Sequence, residues 1–332
     1  MKAIIPVAGA GTLLRPYTHT QPKALIPVAG KPILGHIIDV LHQAGVTEFV
    51  FVIGYLREKI QAYVSASYAH IPHQFVVQEP RLGLAHAIGL CRPHFAQGNE
   101  EVIIALGDTI IDADLHALVH HTGSVVCVQE VDVPGQFGVV AVDGADRITS
   151  LIEKPSIPKS NLALVGFYKL TPSAQLFDAI AYLQQHNLQT NNEFQLTDAL
   201  MQMVRQGAEI KIARVKNWYD CGVKDSVLET NRILLNRNPP ALDASQHPGS
   251  VFIPPVYIPE HCLIVNSIVG PYVAIAEHAV VRNSLVENSI VGEYARLDTI
   301  ILKNSIVGND TTLRGRFQSI NIGDNTELDF NA

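Results

Sequence analysis

The pentapeptide Asn-Ser-Ile-Val-Gly occurs three times in the last third of this 332-residue chain, at 266–270, 288–292 and 304–308, and Arg-Asn-Ser-Leu-Val at 282–286 is a close relative. Self-similarity at so short a spacing narrows the possible folds sharply. A segment this short cannot bury its own apolar side chains and must stack copy upon copy. Between the copies, clusters of Ile and Val alternate with Gly, Asn and Asp, residues that favour tight turns. The pattern predicts a β-solenoid over residues 251–330, with irregular intervals between copies. Asn236-Arg-Asn-Pro-Pro and the polar run to Ser250 read as a linker (236–250). That leaves residues 1–235 as a separate domain. Each solenoid rung leaves apolar surface for the next rung or for another subunit, so the repeat predicts a homo-oligomer.

The first 235 residues follow a different rhythm. Ala3–Val7 is a short apolar run, and Pro32 stands where a helix can begin, because its missing N–H would be unpaired there anyway. Ile33, Ile37, Val40, Leu41 and Ala44 recur at helical spacing, and Gly45 ends the helix. Glu48–Ile53 reads as a buried strand, Arg57–Ser65 as a helix, Gln74–Gln78 as a strand, Ala85–Cys91 as a short helix and Glu101–Leu106 as a strand. Such alternation predicts an α/β domain with a mainly parallel sheet covered on both faces. Ligands of such sheets bind at the carboxyl ends of the strands. A glycine loop at 9–11, Gln78 and Asp108 all fall there. From residue 124 the pattern turns to strands with glycine turns (124–128, 137–142, 148–153, 163–170), which predicts a small antiparallel insert forming one wall of the crevice.

Within the loop after the first strand, Gly9 and Gly11 allow main-chain N–H groups to approach a ligand, a geometry suited to phosphate oxygens. Arg15, Lys23 and Lys31 follow with no acidic residue among them. By itself a Gly-x-Gly is equally consistent with a plain tight turn. The longer spacing is more specific. Gly-x-Gly-Thr-x-x-x-Pro-x-Thr-x-x-x-Pro-Lys-x-x-x-Pro-x-x-x-Lys-Pro, from Gly9 to Pro32, resembles the N-terminal signature of the sugar-1-phosphate nucleotidylyltransferases. These enzymes join a nucleoside triphosphate to a sugar 1-phosphate and release pyrophosphate. One position departs from that signature: Leu13 stands where the family usually has an arginine that contacts the triphosphate. Arg15 is the nearby cation that could supply the charge.

The resemblance implies a Rossmann-like nucleotidyltransferase domain with a mainly parallel mixed sheet, and it assigns roles residue by residue. Ala8, Gly9, Gly11 and Thr12 would bind the nucleotide, Lys23 the phosphates, and Arg15 the departing pyrophosphate. Asp108 alone reads as a turn or helix-cap aspartate; the resemblance makes it a Mg²⁺ ligand. Asp220, in Trp218-Tyr219-Asp220-Cys221-Gly222, would be the second. Magnesium favours few carboxylates, several waters and the substrate's phosphate oxygens. Gln78 upstream of Gly83-Leu84 resembles the base-reading element of the uridylyl- and thymidylyl-transferring members, which implies UTP or dTTP. His86 reads as a first-turn helix residue rather than an acid or base. Phe137-Gly138, Glu153-Lys154-Pro155 and Val165-Gly166 match the sugar-pocket motifs: backbone contact at Gly138, a hydroxyl acceptor in Glu153, a phosphate cation in Lys154, close approach at Gly166. Glu193-Phe194-Gln195-Leu196-Thr197-Asp198-Ala199 resembles another family stretch, read as a helix start with Glu193 near the sugar.

The repeat domain resembles the left-handed β-helix of hexapeptide-repeat proteins. Such helices also house acyltransferases, but His261 and His278 read as turn residues and no acyl-transfer histidine is assignable. The formal charge of −7 provides no general attraction to nucleic acid or an anionic membrane. The four cysteines are far apart and read as buried or free thiols. Absence of a leader pattern and of a membrane-length apolar run makes the cytoplasm the expected compartment. The expected activity is Mg²⁺-dependent transfer of a nucleotidyl group to a sugar 1-phosphate, with glucose 1-phosphate favoured. Two other readings remain at this point: guanylyl transfer to mannose 1-phosphate, and a non-catalytic nucleotide-sugar-binding subunit, supported mainly by Leu13.

Overall fold

A computed structural model describes residues 1–95 and 97–315. Contacts divide the chain into two units, the first Met1–Thr230 and the second beginning at Asn231.

The first unit opens with β1 (Lys2–Pro6), passes through a two-stranded ribbon, β2 (Pro27–Val28) and β3 (Lys31–Pro32), and enters helix α1 (Ile33–Gln43). β4 (Glu48–Ile53), α2 (Arg57–Ser67), β5 (His73–Val77), α3 (Leu84–Gly89) and β6 (Val102–Ala105) complete the alternating part. β7 (Thr109–Asp112) and α4 (Leu115–Val119) precede four strands: β8 (Ser124–Glu130), β9 (Gly138–Val142), β10 (Ile148–Glu153) and β11 (Leu162–Leu170). Helices α5 (Ser173–Gln185) and α6 (Leu196–Arg205) lead to β12 (Ile210–Arg214), β13 (Asn217–Asp220) and α7 (Lys224–Arg237).

β1 lies between β6 and β4, parallel to both, and β4 pairs in parallel with β5. Burial on both faces explains why these strands read as continuous apolar runs: Ile4, Val50, Val52, Val102 and Ile104 are all fully buried in one core with α3, α5 and α6 residues. Pro32 caps α1 at its start, and Gly45 follows its end with φ +106°, its N–H donating to His42 O. That positive φ is open to glycine and strained for other residues.

The expected separate antiparallel insert is corrected. β8 to β11 belong to the same nine-stranded sheet, and all nine residues of β11 are buried. On one edge, the start of β11 pairs with β9 and its end pairs with β6; on the other edge it pairs with β8. Register shifts between Leu164 and Tyr168, around Gly166 at φ +87°. A bulge there lets one strand serve two partners in succession along the same edge. Pairings this distant in sequence leave no local trace in composition.

In the second unit, three faces of short parallel strands form the arrangement of a left-handed β-helix. The first comprises Val251–Phe252, Ile268–Val269, Leu285–Glu287 and Ile301–Lys303. The second comprises Val256–Tyr257, Val273–Ile275, Ile290–Val291 and Ile306–Val307. The third comprises Leu263–Val265, Val280–Arg282, Arg296–Asp298 and Thr312–Arg314. Val269, Val286, Val291, Ile264, Val281 and Leu297 point into its core. The irregular spacing of the pentapeptide now has a cause: its first copy lies on the first face, the other two on the second face. The expected extent to residue 330 lies outside the described residues beyond 315.

The asparagine and the serine of the pentapeptide each have a task. Asn266, Asn288 and Asn304 take left-handed backbone angles at the corners, which asparagine tolerates better than most residues. The serine hydroxyls donate to the carbonyl two residues back, as Ser284 does to Arg282 O at 2.6 Å. The same oxygens accept an N–H from the next rung: Ser250 from Ser267, Ser267 from Ser284, Ser284 from Ile300 and Ser289 from Ser305. A column of serines thus ties rung to rung. No helix among the described residues is long and apolar enough to cross a membrane.

Candidate active site

A cavity of about 530 Å³ opens at the carboxyl ends of β1 and β6, lined among others by Ala8, Gly9, Lys23, Gln78, Gly83 and Asp108. Ala8 and Gly9 continue directly from β1. A methyl group added at Gly9 would have nothing within 4 Å, so the backbone there faces open space. Gly107 is different. A Cβ on it would lie 2.2 Å from Val7 Cγ1 and 2.9 Å from Pro6 O. Only glycine lets the chain leaving β6 pass close against β1 and deliver Asp108 to the cavity.

Lys23 reaches Asp108 directly, Nζ to Oδ2 at 2.5 Å, with both side chains partly buried. Its stem is held by Gly11, whose φ is +60° and whose absent Cβ would be 2.9 Å from Lys23 Cβ. Gly11 therefore serves the site by admitting the lysine; it does not line the cavity. Thr12 and Arg15 are exposed, as is Leu13 at 75 %, and none of the three lines the cavity. Lys23 is the one expected phosphate cation that the structure brings to it.

Asp220 arrives by a separate route. β13 pairs antiparallel with β7, setting Asp220 opposite Thr109, and Cys221 N–H donates to Asp108 O at 3.0 Å. The two aspartates are thus neighbours. Burial pushes the Asp220 carboxyl above its ordinary range, and the negative charge of Asp108 pushes it further, with Lys23 acting in the opposite direction. Two carboxylates and one lysine in partial burial form a site with an unmet need for positive charge. No cluster of three or more His, Cys, Asp or Glu suited to a metal occurs among the described residues; a pair fits a cation that takes its other ligands from water and phosphate.

On the opposite wall, Gly83 has φ +105°, and a Cβ there would meet Phe194 O at 2.6 Å and Glu193 Cβ at 2.9 Å. Phe194 N–H donates to Leu82 O and Ala85 N–H to Phe194 O. This stitching brings Glu193 to the cavity wall beside Gly83. Gln78 donates to Gly83 O at 2.9 Å and to His86 Nδ1 at 3.2 Å.

A second cluster adjoins β9 and β10. Glu153 pairs with Gly138, and Thr197 Oγ1 donates to Glu153 Oε2 at 2.6 Å. A Cβ on Gly138 would lie 3.0 Å from Thr197 Oγ1 and 3.1 Å from Glu153 Oε2, so glycine makes room for that pair. Lys154 has φ +42°, and its N–H donates to Phe137 O. Gly166 packs against Leu106, which itself lines the cavity. Glu153, Lys154, Gly138 and Gly166 are not in the cavity wall. Sequence reasoning missed Thr197, although it stands within a stretch already singled out; a threonine one helical residue after Leu196 carries no local sign of its distant carboxylate partner. Trp218 stands in the stretch singled out for Asp220, but its contact with Phe137, the rings meeting edge-on at 4.8 Å, and its buried indole N–H without an acceptor were not foreseen.

Residues 2–237 match the family model described as nucleotidyl transferase. The chain belongs to that family. Among nucleotidyl transferases it is 37% identical over 243 residues to the low-salt glycan biosynthesis nucleotidyltransferase Agl11 of Haloferax volcanii, covering 71% of this chain and 66% of that protein. It is 31% identical to a glucose-1-phosphate thymidylyltransferase of Streptomyces griseus, covering 88% and 87% of the two chains. Identity to the UTP–glucose-1-phosphate uridylyltransferase AglF of Haloferax volcanii is 34%, over 66% and 89%. Among solved structures, one of UDP-glucose pyrophosphorylase complexed with UDP-glucose superposes with a TM-score of 0.62 at 25% identity, covering 71% of this chain and 99% of that one. The family match spans the sheet, the cavity and both aspartates.

Proposed function

We infer that this nucleotidyl transferase moves a nucleotidyl group from a nucleoside triphosphate, UTP or dTTP, to a sugar 1-phosphate, glucose 1-phosphate above others, with release of pyrophosphate. The observation that carries this reading is the Lys23–Asp108–Asp220 cluster at the edge of a cavity with Gly9 on one wall and Gln78 and Gly83 on the other. The named relatives in thymidylyl and uridylyl transfer to glucose 1-phosphate support the choice of substrates. The sugar-phosphate oxygen attacks the α-phosphorus in line; that P–O bond forms as the bond to pyrophosphate breaks. Such a reaction asks the protein for positioning and charge neutralisation more than for covalent chemistry.

Gly9, with open space where a side chain would be, lets backbone N–H groups approach phosphate. Asp108 and Asp220 would hold Mg²⁺, which when bound supplies positive charge to the phosphate oxygens. Asp108 holds Lys23 at the cavity, where its ammonium would answer the charge of the nucleotide's phosphates. Glu153, oriented by Thr197, accepts from sugar hydroxyls, and Lys154 answers the sugar phosphate. Arg15 is the side chain nearest in sequence to supply the charge that Leu13 lacks on the pyrophosphate side. These substrates belong to the cytoplasm, where the reading places the enzyme.

The chain also self-associates through the β-helix. Val251, Ile268, Leu285 and Ile301 stand side by side in register on the first face, and Val251, Ile268 and Ile301 are 57%, 41% and 80% exposed. An aligned strip of aliphatic side chains open to water is the kind of surface that subunits cover.

The deciding assay is Mg²⁺-dependent pyrophosphate release from each of UTP, dTTP, GTP, ATP and CTP with glucose 1-phosphate or mannose 1-phosphate. Asp108→Asn serves as control. Release from UTP or dTTP with glucose 1-phosphate, absent in the control, is the expected result. Nucleotide binding without release across a broad set of sugar phosphates would overturn the enzymatic reading in favour of a binding subunit.

A further inference from the structure

Gln78 is 6% exposed yet lines the cavity. Its Nε2 donates to Gly83 O at 2.9 Å and contacts His86 Nδ1 at 3.2 Å. A carbonyl oxygen can only accept, so the bond to Gly83 fixes which end of the amide is nitrogen. A primary amide has two N–H groups. Both are committed inside the protein, and what Gln78 offers to a ligand is Oε1, an acceptor alone.

His86, on α3, is not among the residues that line the cavity. An amide nitrogen only donates, so this contact requires the tautomer with its proton on Nε2 and the Nδ1 lone pair free; burial, which lowers the pKa of the ring, favours its neutral form. Its influence on a ligand therefore passes through Gln78.

We propose that His86 is a positioning residue that sets base preference: by holding the second Gln78 N–H it keeps the amide acceptor-only, matched to the N3–H of uracil or thymine and opposed to cytosine. Cytosine carries a lone pair at N3, so Oε1 would face another acceptor. Without the His86 acceptor, the second N–H is uncommitted, and the amide, still bonded to Gly83 O, can pivot to offer it to a ligand. The inference rests on the reading of this cavity as a nucleotide site.

The test compares kcat/KM for UTP and CTP in the full chain and in His86→Leu and His86→Asn, with calorimetric affinities for both nucleotides. Asn places an acceptor oxygen close to where Nδ1 lies, whereas Leu has none. The UTP:CTP ratio falls by about tenfold or more in His86→Leu, the scale of one mismatched buried hydrogen bond. The loss comes through KM, with kcat nearly unchanged, and His86→Asn recovers it. An unchanged ratio in His86→Leu, or an equal loss in both variants, overturns the proposal. If the unaltered protein transfers no nucleotide, the calorimetric ratio is read in the same way, so failure of the activity does not hide failure of the positioning role. Preferred transfer from another triphosphate overturns the base preference while leaving the transferase reading intact. Should His86→Leu not fold, hydrogen exchange at the Gln78 side chain of the unaltered protein decides: two protected amide hydrogens support the proposal, and one fast-exchanging hydrogen overturns it.

Discussion

Asp220 carries its charge in a setting that opposes it. Burial and the neighbouring Asp108 both raise its pKa, so its folded form binds a proton more strongly than its unfolded form. At neutral pH the ionised carboxylate therefore opposes folding. Asp220→Asn should raise the melting temperature of the metal-free protein while abolishing transfer, and Mg²⁺ should raise the melting temperature of the unaltered protein but not of the variant; a lowered melting temperature in the variant would contradict this. Two histidines of the same unit act in the other sense. His36, which bonds Val28 O at 2.9 Å, and His86 both have pKa values lowered mainly by burial. The unfolded chain takes up protons that they refuse, so their contribution is fully present above their ordinary value of about 6.5 and is lost as pH falls below it. Urea midpoints measured from pH 7.5 to 5.5 should decline, and a flat profile would show that both rings are freely hydrated.

Among the elements, the parallel strands and the β-helix were legible in the sequence because each leaves a local mark. Two-faced burial writes itself as Val/Ile runs in β1, β4 and β6. The path of β11 was not legible, since its three partners are distant and only Gly166 hints at the change of register. The candidate site divides along the same line. Gly9, Lys23, Gln78, Gly83 and Asp108 follow strand ends or tight turns, and all five line the cavity. The grip of Thr197 on Glu153, across 44 residues, could not be. In the β-helix, the buried Ser284 both donates to Arg282 O and accepts from Ile300 N–H. Ser284→Ala leaves that N–H without a partner, at a cost of about 1–3 kcal/mol. Thermal or urea unfolding should detect the loss, with a smaller effect for the more exposed Ser305→Ala.

For the whole molecule, one question is whether the chain works alone. On the first face of the β-helix, Val251, Ile268 and Ile301 of the aliphatic strip face solvent while Leu285 is half-buried, and among the described residues Ile301 is the most open large hydrophobic residue after Ile157. Ile268→Glu with Ile301→Glu places charges in the middle and at one end of that strip. Light scattering coupled to size exclusion should report an oligomer for the unaltered chain and a smaller species for the double variant, with transfer activity measured on both. A monomer in the first sample would rule the strip out as a self-association surface.

Gly9 and Gly107 look alike in a sequence and answer to different authorities. Gly107 is demanded by the fold, because any side chain would strike Val7 and Pro6; Gly9 has free space around it and is demanded, if at all, by a guest. The two should respond differently to selection. Harm from Gly107→Ala is a folding defect, so stabilising changes elsewhere in the chain should suppress it. Gly9→Ala should leave folding unimpaired and nucleotide affinity reduced, and no general stabiliser should rescue it. A suppressor screen run on both backgrounds would thus sort these two glycines by whether the protein or its substrate keeps them.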